Sequence, residues 1–339
     1  MQKKLKIFHI YANDLNLGDL ASAQGIKLLL KNNFDGSLVF HDKFALTDLS
    51  DRDIDTINKN FDGIIIGGGG LLRGDSVVKK NHILGVSFKK LNQINKPKFT
   101  YSIGVNYEDQ FSEEIKNVAH YFAEKFSANS VRDVLSKKFL SNADLVLCPS
   151  MLISPRQKTS NISKKITVGI APVPLSRVKD PNKYLVSLLK IIKSLQDKKY
   201  QVSLITHSKF PEDINYEINK KANIDLFLPS SPSIAMSFYD KCDIILGSRG
   251  HSLIFAAGRG IPFINLSYNI KCKEFCDTIK YPSELSLNAN DMDDSEVMSR
   301  VNYVIDNYEE IQDLLVNTRE LAEHQNNNYA KKIINILKN

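Results

Sequence analysis

The chain has 339 residues, 42% hydrophobic and 24% charged, ordinary globular proportions that exclude a disordered, collagenous or low-complexity chain as a whole. Its formal net charge of +7 is local: residues 151–200 hold eleven Lys/Arg against Asp180 and Asp197, and residues 281–320 hold ten Asp/Glu against Arg300 and Arg319. No stretch approaches the roughly 20 apolar residues that span a bilayer, and four scattered cysteines make no disulfide framework, so a reduced, cytoplasmic setting is expected.

Short apolar, β-branched runs alternate with segments of helical apolar spacing, the βα rhythm of parallel sheets. A first strand over Leu5–Ile10 leads through Asn16-Leu17-Gly18-Asp19 into a helix over Leu20–Leu30, which places Asp19 at the helix start, where an acidic side chain is often a cap. A strand over Leu38–Phe40 follows, then one over Gly63–Ile66 that runs into Gly67-Gly68-Gly69-Gly70. Four glycines cost more backbone entropy than ending a strand requires, so something approaches this backbone closely, either a ligand or the packing of a tight turn. The run has neither the Gly-Lys-Ser/Thr of a phosphate loop nor a GxGxxG frame. Strands over Phe99–Ile103, Asn129–Val131 and Leu145–Leu147 complete the first half, with a helix over 112–126. Arg132-Asp133 closes the second of these strands, with Ser136 one turn on, as a ligand contact or an internal ion pair.

A polar, basic stretch over 154–165 has the composition of a linker, after which the rhythm restarts. Strands are expected at Ile166–Ile170, Val202–Ile205, Ile224–Phe227, Ile244–Leu246 and Pro262–Leu266. Asp180-Pro181 and Ser231-Pro232 read as helix starts, a capping side chain followed by proline. Beyond Asp294 the chain is helical. The expected organisation is an α/β protein of two Rossmann-like domains facing each other across a cleft, residues 1–155 and 156–315, closed by C-terminal helices over 316–339. In such sheets ligands bind beyond the carboxyl ends of the strands.

The most informative loop ends the strand Asp243-Ile244-Ile245-Leu246. Gly247-Ser248-Arg249-Gly250-His251 puts an arginine and a histidine at the start of a helix over 252–257, a favourable position for an anion. Tyr268 and Lys271 return to the same rim after the next strand. Metal sites find little support: Cys272 and Cys276 lie one helical turn apart without two further ligands beside them, and Asp291-Met292-Asp293 reads as a helix start. There is no HExxH and no GxSxG.

Taken together, Asn16-Leu17-Gly18-Asp19, the Gly67–Leu72 run, Ser130-Val131-Arg132-Asp133 with Ser136, and Ser248-Arg249-Gly250-His251 through Gly260, Pro262, Tyr268 and Lys271 resemble the polysaccharide pyruvyl transferase family, in the family's order. Where family members often have Asp-Pro after the strand closing the first domain, this chain has Cys148-Pro149.

The resemblance implies a fold similar to GT-B glycosyltransferases and transfer of a pyruvyl group from phosphoenolpyruvate to a sugar as a cyclic ketal, with no cofactor or metal beyond that co-substrate. Under it, Arg249, Ser248, Gly250, Arg132 and Lys271 are expected at the donor's anionic groups, since arginine's fork suits carboxylate and phosphate alike. His251 is expected to move a proton or stabilise phosphate, and Asp19 to act as base or orient the acceptor hydroxyl. The Gly67, Gly68, Gly69 and Gly70 loop would lie against the bound sugar or donor. Expected partners are phosphoenolpyruvate and a saccharide acceptor, free or lipid-linked, with no nucleic acid. The basic segment makes an anionic membrane face a further candidate. The rival readings are a GT-B sugar-nucleotide glycosyltransferase and a non-catalytic ligand-binding subunit of polysaccharide assembly.

Overall fold

A computed structural model describes residues 3–73, 82–83, 85–106, 113–155, 162–210 and 212–339. Ser112 and residues 156–161 of the expected linker lie outside them. The chain divides into two compact units, one of Met1–Asp14, Asp19–Ile153 and Ala322–Asn339, the other of Leu15–Gly18 and Ser154–Leu321.

The first unit is built on strands β1 (Lys4–Tyr11), β2 (Ser37–Phe44), β3 (Gly63–Gly67) and β4 (Lys98–Tyr101), paired in parallel in the order β2-β1-β3-β4. Single parallel bridges, Phe99–Ala128 and Ile103–Val131, carry the sheet on to β5 (Ser130–Val131), which pairs with β6 (Asp144–Leu145). This is the 2-1-3-4-5 order of one of the two common doubly wound sheets. β3, Gly-Ile-Ile-Ile-Gly, is buried along its whole length, as a parallel strand covered on both faces must be. The helix Asp51–Asn60 starts at a reciprocal cap, Ser50 accepting from the Asp53 amide while the Asp53 carboxylate accepts from Ser50.

The second unit has one six-stranded sheet of β7 (Thr167–Ala171), β8 (Gln201–Ile205), β9 (Asp225–Phe227), β10 (Ile244–Gly247), β11 (Phe263–Ser267) and β12 (Ser286–Asn288). Every pair is parallel, in the order β9-β8-β7-β10-β11-β12, the nucleotide-binding 3-2-1-4-5-6 arrangement. Asp180 and Ser231 cap the helices Pro181–Asp197 and Pro232–Tyr239 with proline in the first turn, as the sequence indicated. Asp293 caps Asp294–Asp306 by accepting from the Glu296 amide, so the Asp291-Met292-Asp293 triplet opens a helix. The basic block from residue 162 onward and the acidic block lie in this unit and meet: Lys183 reaches Asp291 at 3.0 Å, and the charge of Lys190 acts on Asp293.

The last helix differs from the expected separate segment over 316–339. It runs unbroken from Tyr308 to Lys338, and its two parts belong to different units. Up to Leu321 it serves the second, where Arg319 donates to the carbonyls of Gly258 and Ser154. From Ala322 it serves the first, where the Tyr329 hydroxyl donates to the Thr100 carbonyl at 2.7 Å and the Asn326 amide to Leu147 at 2.9 Å. Among the described residues no helix is long and apolar enough to cross a membrane.

Candidate functional site

Because the second sheet is wholly parallel, the carboxyl ends of its strands share one edge, with Ala171, Gly247 and Asn265 in register across β7, β10 and β11. At the end of β10 the chain turns at Ser248, whose amide donates to Ala171 and whose hydroxyl lies 3.0 Å from the buried Tyr184 hydroxyl. Ser248 is thus held by two contacts within the protein. Arg249 then caps the helix Gly250–Arg259. The Ser252 hydroxyl accepts from its amide and donates to its carbonyl, which holds the Arg249 backbone outside the helix. Beside Gly250 there is room: apart from its chain neighbours and its own helix, a Cβ there would meet no atom of the described residues within 4 Å.

The Arg249 guanidinium donates through Nη2 to Glu212 Oε1 at 2.7 Å, while its Nη1 is buried with no hydrogen-bond partner among the described residues. Arg259, at the other end of the same helix, is the contrasting case. It is 3% exposed and engaged by Asp240 and by the carbonyls of Ser154 and Pro155.

His251 is half-buried, its ring 6.1 Å from Phe255. It also lies directly over Gly18, where an added Cβ would come within 2.1 Å of the imidazole. Two separate motifs, the glycine of Asn16-Leu17-Gly18-Asp19 and the histidine of Arg249-Gly250-His251, are therefore one contact. The Gly18 segment is held there by its backbone, since the Leu17 amide donates to the His207 carbonyl and the Lys209 amide to Leu15.

His207, just past β8, carries no expectation from the sequence. It is buried, its Nε2 lies 2.6 Å from the Tyr239 hydroxyl, and its ring packs 5.2 Å from Phe255. Burial, reinforced by the positive Arg249 and by His251, holds its pKa well below the usual histidine value, so it is neutral at physiological pH. Tyr268 stands among the same charges. Its pKa is raised chiefly by burial, with Arg249 and Arg177 pulling the other way. Arg177, at the end of a short helix beyond β7, is thus another cation at this edge. Lys271 sits in the first turn of the helix Ile270–Thr278, where the Asn269 side chain accepts from its amide. Cys272 and Cys276 are buried on that helix; Cys276 takes a contact from Asn265 at 3.5 Å and its thiol is pushed up to about 12 by burial.

The residues expected from the first unit form a different kind of place. Asp19 lies in the first turn of the helix Leu17–Asn32, with the Asn13 amide 3.5 Å from its Oδ2. The glycine loop folds against it. Gly69 has φ +121°, and a Cβ there would meet Asp19 Oδ1 at 2.6 Å; Gly68 has φ +97° and abuts Ala23 and Tyr11; a Cβ on Gly67 would strike the Tyr101 carbonyl at 2.5 Å. The closeness read from four glycines is real: at Gly67, Gly68 and Gly69 the atoms that an added Cβ would meet are the unit's own. Arg132 donates from Nε to Asp133 at 3.3 Å and lies over Gly104, and Asp133 caps the helix Val134–Phe139 through the Ser136 amide. Of the two readings of this pair, the ion pair is present. Cys148 is buried between the hydroxyls of Ser22 and Ser150, at 3.2 and 3.1 Å.

A family model for polysaccharide pyruvyl transferases matches residues 16–270. No curated protein matches the chain. Solved structures that resemble it include S. aureus MnaA determined with UDP, at TM-score 0.59 and 13% identity over 92% of this chain and 90% of that one. The UDP-GlcNAc 2-epimerase of Neisseria meningitidis bound to UDP-GlcNAc gives 0.56 and 11% over 99% and 100%. The glycotransferase of kitacinnamycin gives 0.55 and 8% over 99% and 100%. At such identities the likeness is one of fold, that of the GT-B class.

Proposed function

The chain belongs to the polysaccharide pyruvyl transferase family, and on that basis we propose that it moves a pyruvyl group from phosphoenolpyruvate to a sugar of a cell-surface polysaccharide or its precursor, forming a cyclic ketal and releasing phosphate. The observation that carries this reading is the end of β10: an arginine whose buried Nη1 has no partner among the described residues, a helix N-terminus with room at Gly250, and a histidine, on three consecutive residues.

In the reaction as proposed, C3 of the enol takes a proton while the first sugar hydroxyl bonds to C2 and gives up its own proton. Phosphate then leaves C2 with the electron pair of the broken C–O bond. The second hydroxyl closes the ring on C2 and its proton passes to phosphate or solvent. No resident cofactor is called for.

Arg249 faces the donor's carboxylate or phosphate, with Lys271 and Arg177 supplying further positive charge to a ligand that carries several negative ones. His251 moves the proton or meets the phosphate, and its ring is positioned by the bare Gly18 backbone. Asp19 is the carboxylate proposed to orient or deprotonate the acceptor hydroxyl. Arg132, which pairs with Asp133 through Nε alone, is proposed as a second anionic contact. We place the reaction in the cytoplasm; vesicle co-sedimentation with anionic lipids tests whether a lipid-linked acceptor draws the enzyme to a membrane face.

The test is a thermal-midpoint shift with phosphoenolpyruvate, since a ligand that binds only the folded state raises apparent stability by RT ln(1 + [L]/Kd). A rise that disappears in Arg249→Ala, together with phosphate release on an added saccharide, supports the reading. A rise with UDP or UDP-GlcNAc and none with phosphoenolpyruvate would overturn it in favour of sugar-nucleotide chemistry.

A further inference from the structure

We propose that Glu212 is the positioning residue for Arg249, holding one arm of the guanidinium so that the other faces an anionic oxygen of the ligand. The inference rests on the donor-site reading above. Arginine and carboxylate commonly pair side-on through two parallel hydrogen bonds. Here the pair is made through Nη2 and Oε1, at 2.7 Å, and the other terminal atom of each group, Arg249 Nη1 and Glu212 Oε2, is buried without a partner among the described residues. The side chains are 18% and 19% exposed, so water does not freely complete the pair.

Buried polar groups are ordinarily satisfied, and a pair left open at both ends needs a reason. The neighbouring cation gives the measure: buried Arg259 has Asp240 and two carbonyls about it. Glu212 is itself fixed in place. It stands just before the helix Asp213–Ala222, and its amide donates to the Oδ1 of Asn215, a side chain 1% exposed whose Nδ2 is also unpartnered.

This arrangement does two things for an incoming anion. The guanidinium cannot swing, because Nη2 is anchored, so Nη1 is presented without the loss of rotamer freedom that a loose arginine would suffer on binding. The Glu212 charge also repels a second anionic oxygen from the Nη2 side, so the ligand is aligned on Nη1 alone.

Binding of phosphoenolpyruvate and, as a second probe, inorganic phosphate is measured by calorimetry on the wild type, Glu212→Gln, Glu212→Ala and Arg249→Ala, with thermal midpoints confirming that each is folded. Glu212→Ala is expected to weaken phosphoenolpyruvate binding about tenfold or more, whereas Glu212→Gln, which keeps an oxygen for Nη2, loses about threefold, a loss in KM more than in kcat. Unchanged or tighter binding in a folded Glu212→Ala or Glu212→Gln overturns the inference and makes Glu212 a competitor for Arg249. Phosphate binding sensitive to Glu212, with none of phosphoenolpyruvate, upholds the positioning role while the donor reading fails. Binding of neither probe by the wild type overturns both.

Discussion

The two glycine-bearing strand ends of this protein look alike in sequence and differ in what their missing side chains make room for. After β3, the absent Cβ atoms of Gly67, Gly68 and Gly69 leave space that Tyr101, Ala23 and Asp19 occupy, and two of the three hold positive φ. After β10, no described residue beyond its neighbours and its own helix approaches where a Cβ of Gly250 would stand, and its φ is not positive. A glycine enforced by the fold and a glycine kept clear for something outside it are chemically the same residue. Only the neighbours distinguish them, and the larger cluster of glycines marks the better-packed place.

That contrast can be broken or sharpened by substitution on either side. The largest effect is expected at the open end: Arg249→Lys keeps the charge but cannot hold Glu212 and a ligand oxygen together, and kcat/KM for phosphoenolpyruvate should fall about 100-fold or more while the fold persists by circular dichroism. At the packed end, His9 Nε2 lies 3.1 Å from the Gly67 carbonyl, and its pKa is lowered to about 4, chiefly by burial and next by the charge of Lys27. Below the ordinary value near 6.5 the unfolded chain therefore binds a proton that the folded chain refuses. Stability should decline as pH falls from about 6.5 toward 4, by about 3 kcal/mol at the lower end. Urea midpoints against pH should show a shallower slope in His9→Gln; an identical slope would remove His9 from the acid sensitivity.

Gly69→Ala places a side chain at φ +121° and against Asp19, which should cost about 1–3 kcal/mol in denaturant unfolding. Gly250→Ala is the smallest in stability, within about 0.5 kcal/mol of wild type. It should nevertheless weaken phosphoenolpyruvate binding several-fold, since its methyl occupies the space left for the ligand. Should Gly250→Ala unfold the protein, or Gly69→Ala leave it untouched, the distinction between the two glycine sites collapses.

Much of the fold was legible because it is written locally. Gly63-Ile64-Ile65-Ile66 cannot be anything but buried, Asp180-Pro181 carries a cap and a helix start in two adjacent residues, and Asp293 was identifiable as a cap from the helical pattern after it. Short β12, Ser286–Asn288, has too few apolar residues to announce itself. The site was legible only where chemistry sits in one loop, as in Arg249-Gly250-His251. Glu212 precedes its partner by 37 positions and resembles any surface acid. His207 follows a strand already expected over Val202–Ile205, and its place beyond that strand's carboxyl end was the available signal. The pairing of Gly18 with His251 joins residues more than two hundred positions apart, and neither identifies the other without the fold.

The helix Tyr308–Lys338 gives the chain an order of assembly. Tyr329 and Asn326 complete the first unit by binding the carbonyls of Thr100 and Leu147, yet the ribosome makes them after the entire second unit. Leu15–Gly18, made near the start, must wait equally long for the strand ends they join. During synthesis the first sheet therefore remains without its last helix while the 168 residues of Ser154–Leu321 emerge. Dissecting the gene at the linker would give two fragments that each lack a piece of themselves, so either half should be tested with its borrowed segment supplied in trans.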